Sequence, residues 1–132
     1  MPVSLAGVNE HDRAVIRSHT KEYESTSDRL KKAELVLELA DSLQGYSIKR
    51  RLIQVNIRSL RGMTSGMSQS RLEKRNLLLA KSYYANAQVL FTSGTGDLGR
   101  ESLFNTKQIA DKHPDQSLRL NVNSAISNLY HQ

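Results

Sequence analysis

The chain has 132 residues, a net charge of +6, no cysteine, no tryptophan and 38% apolar residues. That length suits one domain with its own core. The missing thiols exclude a disulfide framework and thiolate chemistry and fit a reducing compartment. The longest apolar runs are a few residues, too short to cross a bilayer, and MPVSLAGV lacks the basic flank and long apolar run of a secretory signal. An intracellular location, cytoplasmic or nuclear, is expected.

The positive charge is concentrated. Residues 1–45 carry a net −2, residues 76–132 a net +1, and residues 46–75 a net +7. In that middle stretch Lys49, Arg50, Arg51, Arg58, Arg61, Arg71, Lys74 and Arg75 stand with a single acid, Glu73. Such clustering is what an interface for a polyanion or an acidic partner requires.

In chain order, residues 1–10 read as a flexible arm and residues 11–132 as a single helical domain. From about Asp12 to Gln44, Ile16, Tyr23, Leu30 and Leu37 recur every seven residues, with His19, Thr26, Ala33 and Ala40 as a companion set. Two interleaved repeats of seven make a seam that an antiparallel bundle or coiled coil buries. Ser27-Asp28 can cap a fresh helix, so one long helix and two shorter ones both fit. Gly45 is expected to end this run in the positive-φ conformation of a helix C-terminal glycine.

Residues 46–61 carry two signals. Ile53, Val55 and Ile57 alternate as in a strand. On a helical wheel, however, Arg50, Arg51, Gln54, Arg58 and Arg61 fall within roughly 100° and the apolar residues occupy the rest. A lone strand among helices has no partner to pair with, so helix is expected. GMTSGMSQ (62–69) reads as a loop, and Ser70 with Glu73 as a capping box. A helix follows to about Phe91, with Leu72, Leu79, Tyr83, Ala87 and Leu90 on one face. Leu78, Ala85 and Val89 form a second stripe, so the helix is either central in its bundle or offers that stripe to another chain. TSGTGDLG (92–99) is a second loop, a shorter helix runs over about 100–112, and Pro114 fits the first turn of a last one. There Leu118, Val122, Ala125, Ile126 and Leu129 keep one face apolar.

The sum is an all-α antiparallel bundle of four to five helices with a coiled-coil-like first hairpin. Gly94, Gly96 and Gly99 spell G-x-G-x-x-G, but the motif cradles phosphates only between a strand and a helix, and here it joins two helices. The four histidines are scattered; Asp111, His113 and Asp115 alternate around a turn and make no metal site. No nucleophile elbow is present. Neither a metal nor a cofactor is called for, and phosphate on Thr64, three residues after Arg61, would sit against Arg61, Arg71 and Arg75 and lower the local positive potential.

The functional expectation is a non-enzymatic binding protein. Its basic segment, Lys49, Arg50, Arg51, Arg58, Arg61, Arg71, Lys74 and Arg75, would meet a polyanion, foremost the backbone of DNA or RNA, with self-association through Leu78, Ala85 and Val89. The alternative is a coiled-coil adaptor or assembly subunit whose basic face docks an acidic protein or a membrane surface.

Overall fold

The computed structural model describes residues 3–63, 65–112 and 116–130. Thr64, His113, Pro114, Asp115 and His131 lie outside the described residues, as do the side chains of Ala125 and Leu129. The described residues form six helices: α1 Glu10–Ser25, α2 Arg29–Asp41, α3 Tyr46–Arg61, α4 Gln69–Thr92, α5 Gly96–Ala110 and α6 Gln116–Tyr130. The architecture is all-α, with one helix more than the four or five expected.

The extra helix comes from the run 12–44, which divides. Thr26 is extended, and Asp28 turns its carboxylate onto the Leu30 N–H at 3.0 Å, starting α2. An aspartate at this position satisfies an amide that the first turn leaves without a partner. The break also divides the heptad seam between two cores. Ile16 packs with Val36, Leu39 and Leu52, with Tyr23 against that group. Leu30, Ala33 and Ala40 pack instead with Ile53, Ile57, Leu60, Leu78 and Val89, with Leu37 alongside. One continuous coiled-coil stripe is therefore not what these residues build.

Each helix packs chiefly on its neighbours in the chain. Asn56 of α3 lies against Ser82 of α4, and the groove beside them is lined by Lys49 and Ile53 from the first half of α3 and by Ala85 and Val89 from the second half of α4, so α3 and α4 run antiparallel. Ala33 against Asn56 gives α2 and α3 the same relation. A third core joins Ala80 of α4, Ala110 of α5, and Leu118 and Val122 of α6.

Two polar residues are sunk where these layers meet. Asn56 is 3% exposed and donates to the Ala33 carbonyl at 3.1 Å and to Ser82 Oγ at 3.2 Å. Ser82 Oγ passes its own hydrogen to the Leu78 carbonyl at 2.8 Å. A buried amide so engaged ties α2, α3 and α4 at one level, and truncation that orphans its partners costs about 1–3 kcal/mol.

The local punctuation differs from the sequence reading at three places. Gly45 has φ −77°, not a positive value, and is the N-cap of α3. Its need for glycine is space: a Cβ there would meet Asp12 Oδ2 at 3.0 Å and Ile48 Cγ2 at 3.3 Å. The cap of α4 is Ser68 instead of Ser70; it accepts the Arg71 N–H at 3.3 Å, so the helix starts two residues earlier than a Ser70 cap would place it. The second half of TSGTGDLG is already helical. Gly94 (φ +87°) closes α4, and Gly99 lies under the Phe91 ring, whose nearest atom is 2.9 Å from where a Cβ would stand. Gly94 thus serves a tight interhelical turn, and Gly99 lets the Phe91 ring close over the start of α5.

Residues 3–9 lie against the helices. Val8 is buried, Val3 and Leu5 pack on the core of α1, α2 and α3, and Arg13 donates to the carbonyls of Val8 and Leu5 at 2.8 and 2.9 Å.

Candidate functional site

The eight basic residues nominated from sequence share a stretch of chain but not one surface, because α3 and α4 face different neighbours. Arg71 and Lys74 lie in the first turns of α4, where the chain folds beside α2. Arg71 is paired with Asp28 at 2.9 Å and Lys74 with Glu34 at 3.5 Å. The Arg71 guanidinium beside Asp28 holds that carboxyl below its ordinary value, despite some desolvation. These two cations fasten α4 to α2, and partly exposed pairs of this kind contribute little to stability individually. Glu34 also reaches Lys31 at 3.7 Å.

Lys49 is separated differently. It points toward the buried side of α3 and lines an open groove of about 370 Å³ over α2, α3 and α4. The groove walls include Glu38 and Asp41 from α2 and Lys81 from α4, with Leu37, Ile53, Ala85 and Val89 among the apolar lining. Acids and lysines here balance one another, so this groove is not a basic surface. Tyr46, the aromatic nearest the arginines in sequence, also lines it.

What remains is the outward face of α3. Ile48, Leu52, Ile53, Asn56, Ile57 and Leu60 are buried, which turns the opposite arc of the helix outward. Successive residues advance about 100°, so Arg50 and Arg61 fall along one edge of that arc. Arg51 and Arg58 fall along the other, about 80° away. Gln54 and Ser47 occupy the middle. Arg58 and Arg61 are exposed, Arg50, Arg51 and Gln54 are half-buried, and Ser47 is exposed. No acidic residue occurs in α3, and none of the four arginines has an ion-pair partner among the described residues.

Arg51 has one neutral partner: its Nη1 donates to the Ser4 carbonyl at 3.1 Å. The docked N-terminal segment thereby holds the guanidinium at the edge of the face and leaves four of its five hydrogens uncommitted. The Nε donors of Arg50, Arg51 and Arg75 are shielded from solvent and unmatched among the described residues. Arg75, seven positions upstream of Ser82, lies by the antiparallel register at the level of Met63, beyond the last turn of α3. Arg58 and Arg61 sit in the last turn of α3, where cations also favour the helix dipole.

The proposed self-association stripe is placed inside the chain. Leu78 and Val89 are 4% and 7% exposed within the core of α2, α3 and α4, and Ala85 is partly buried on the groove wall. These residues spend their apolar area on α2 and α3. The large apolar side chains that do reach solvent are elsewhere, Phe104 on α5 (59% exposed) and Leu120 on α6 (66%) foremost.

Sequence reasoning missed the most heavily engaged side chain. Asp12 is fully buried. Its Oδ1 accepts the Gln44 N–H at 2.9 Å and faces His11 Nδ1 at 3.0 Å; its Oδ2 accepts the Gly45 N–H at 2.8 Å and Asn9 Nδ2 at 3.2 Å. Burial pushes its pKa up, but the donors from Gln44, His11 and Gly45 outweigh that and the net displacement is downward. The carboxylate stands where α3 has no side-chain cap of its own, so α1 caps α3 from 33 positions away. An aspartate in a helical register signals only a solvated face.

Among the described residues no group of three metal-ligating side chains converges, and no helix is long and apolar enough to cross a membrane. No protein-family model, curated protein or solved structure matches the chain.

Proposed function

We propose that this chain is a non-enzymatic binding protein that presents the outward face of α3 to a polyanion, with nucleic acid the class it suits best. The supporting observation is the face itself: Arg50, Arg51, Arg58 and Arg61 lie along about 16 Å of helix with no acid in α3 and no ion pair among the described residues. Arginine offers phosphate a planar fork of donors and keeps its charge at any biological pH.

The test is titration of a labelled 20-base-pair duplex with the full chain at 50 and 200 mM salt. About four phosphate contacts give a slope near −3.6 in log K against log salt, or about a hundredfold loss over that range. No binding at 50 mM overturns the reading.

A second reading, an assembly subunit that docks other protein chains, is favoured by the exposure of Phe104 and Leu120. Light scattering across a hundredfold range of concentration tests its homo-oligomeric form, which predicts a rising mass that Phe104→Ser with Leu120→Ser abolishes.

A further inference from the structure

The arrangement of side chains across the α3 face, beyond its charge, indicates which polyanion fits. This step rests on the binding role proposed above and specifies its ligand. The arginines form two rows with a charge-free strip between them: Arg50 and Arg61 on one side, Arg51 and Arg58 on the other, Gln54 and Ser47 in the middle. The rows are set by the helical repeat, and the strip is uncharged because positions 47 and 54 share the middle of the arc, seven residues apart. A uniformly basic face would suit any anionic surface. Two basic edges flanking a polar centre suit a trough with phosphate on both rims and hydrogen-bonding groups on its floor.

The helix also has its apolar side covered. Its buried side is held by α1 and α2 through Ile48 and Leu52, and by α2 and α4 through Ile53, Ile57 and Leu60. Those neighbours lie behind α3; on the opposite arc Ser47, Arg58 and Arg61 are exposed, Arg50, Arg51 and Gln54 are half-buried, and the Ser4 carbonyl meets Arg51 at the edge. An α-helix with side chains is about 10–12 Å across, and the major groove of B-form DNA is about 12 Å wide and admits one. The deep, narrow major groove of an RNA duplex does not. No aromatic lies on this arc, so the stacking that holds single strands is missing.

We infer that α3 enters the major groove of duplex DNA, with Arg50 and Arg61 on the phosphates of one rim and Arg51 and Arg58 on those of the other, and with Gln54 facing the base edges. A glutamine amide matches the paired acceptor and donor that adenine presents in that groove. Ser4, through its carbonyl on Arg51, positions one rim contact before DNA arrives.

The experiment is fluorescence anisotropy of the full chain at 100 mM salt. The probes are a 20-base-pair DNA duplex, an RNA duplex of the same sequence, single-stranded DNA of the same length, and heparin. The expected order has duplex DNA at least tenfold tighter than the other three. Among DNA duplexes, an A·T-containing set is bound more tightly than a G·C-only set. Gln54→Ala shrinks that difference about fivefold or more, the scale of one bidentate base contact, and leaves the salt slope unchanged. Alanine is the strongest helix former, so this half-buried position keeps its helix, which circular dichroism verifies.

Equal affinity for DNA, RNA and heparin, still lost in Arg58→Ala with Arg61→Ala, would overturn the groove inference and leave the polyanion role standing. Discrimination that Gln54→Ala does not alter overturns the assignment of Gln54. Absence of binding to all four probes overturns both readings together.

Discussion

Asp12 and Gly45 are joined by a 2.8 Å hydrogen bond from the Gly45 N–H to the Asp12 carboxylate, across 33 positions of chain. The pair is tight from both sides, since the glycine supplies the amide and its missing side chain leaves room for the carboxylate. Through this contact the turn between α2 and α3 is fixed to the first turn of α1, and α3 starts in one direction. The arginine face inherits its orientation from that start.

Replacing Asp12 by Asn removes the negative charge and turns an NH₂ group toward donors. A loss of about 1–3 kcal/mol in unfolding free energy is expected, from a buried charge-assisted cap left with a mismatched partner. Urea denaturation measures it. A change under about 0.5 kcal/mol, the usual size for surface substitutions, would show that Asp12 is not a structural tie.

The same contacts set the response to acid. Asp12 and Asp28 both lie below the ordinary aspartate value of 3.8 in the folded chain. A depressed carboxylate binds its proton more readily in the unfolded state. Its stabilisation is therefore complete above the unfolded value and is lost as pH falls through the folded one. Thermal midpoints should stay level from pH 7 to about 5 and decline below about 4, with a shallower acid decline in Asp12→Asn. An acid limb identical in the variant would remove Asp12 from this account.

Gly99→Ala forces a methyl group against the Phe91 ring. Overpacking of this kind costs about 1–3 kcal/mol. Leucine at position 91 relieves it, so Gly99→Ala with Phe91→Leu should lose less than the two single changes added together. A double-mutant cycle gives the coupling. Strict additivity would mean that the ring moves aside freely.

The eight basic residues should separate into two classes in a binding assay. Neutralising Arg58 and Arg61 together is expected to reduce the salt slope by about 2 and leave stability within about 0.5 kcal/mol. Neutralising Arg71 and Lys74 should leave the slope nearly unchanged, because their charge is already matched by Asp28 and Glu34. Equal effects from both pairs would mean that the ion pairs open on binding.

The helices themselves were legible in the sequence because their signals are local. The gathering of the arginines on one arc of the wheel, and the lack of a strand to pair with, decided for a helix over 46–61 against the alternating pattern. Ser27-Asp28, by contrast, left one long helix or two shorter ones open until the structure divided them at Asp28. The wheel that placed Arg50, Arg51, Gln54, Arg58 and Arg61 on one arc holds, since it depends only on the helical repeat within a single element.

What one element meets is decided by tertiary structure. A heptad seam says that Ile16 and Leu30 are buried but not that they enter different cores. The stripe Leu78, Ala85 and Val89 says that a second face of α4 is covered but not that α2 and α3 cover it. Charges follow the same rule: Arg71, Lys74 and Lys49 belong to the basic stretch by sequence, and acids on α2 that pair with the first two or flank the third take them out of the open surface. The sequence by itself determined the helices and the sign of each face. Packing decided which faces stay open, because burial and ion pairing act across contacts between residues far apart in the chain.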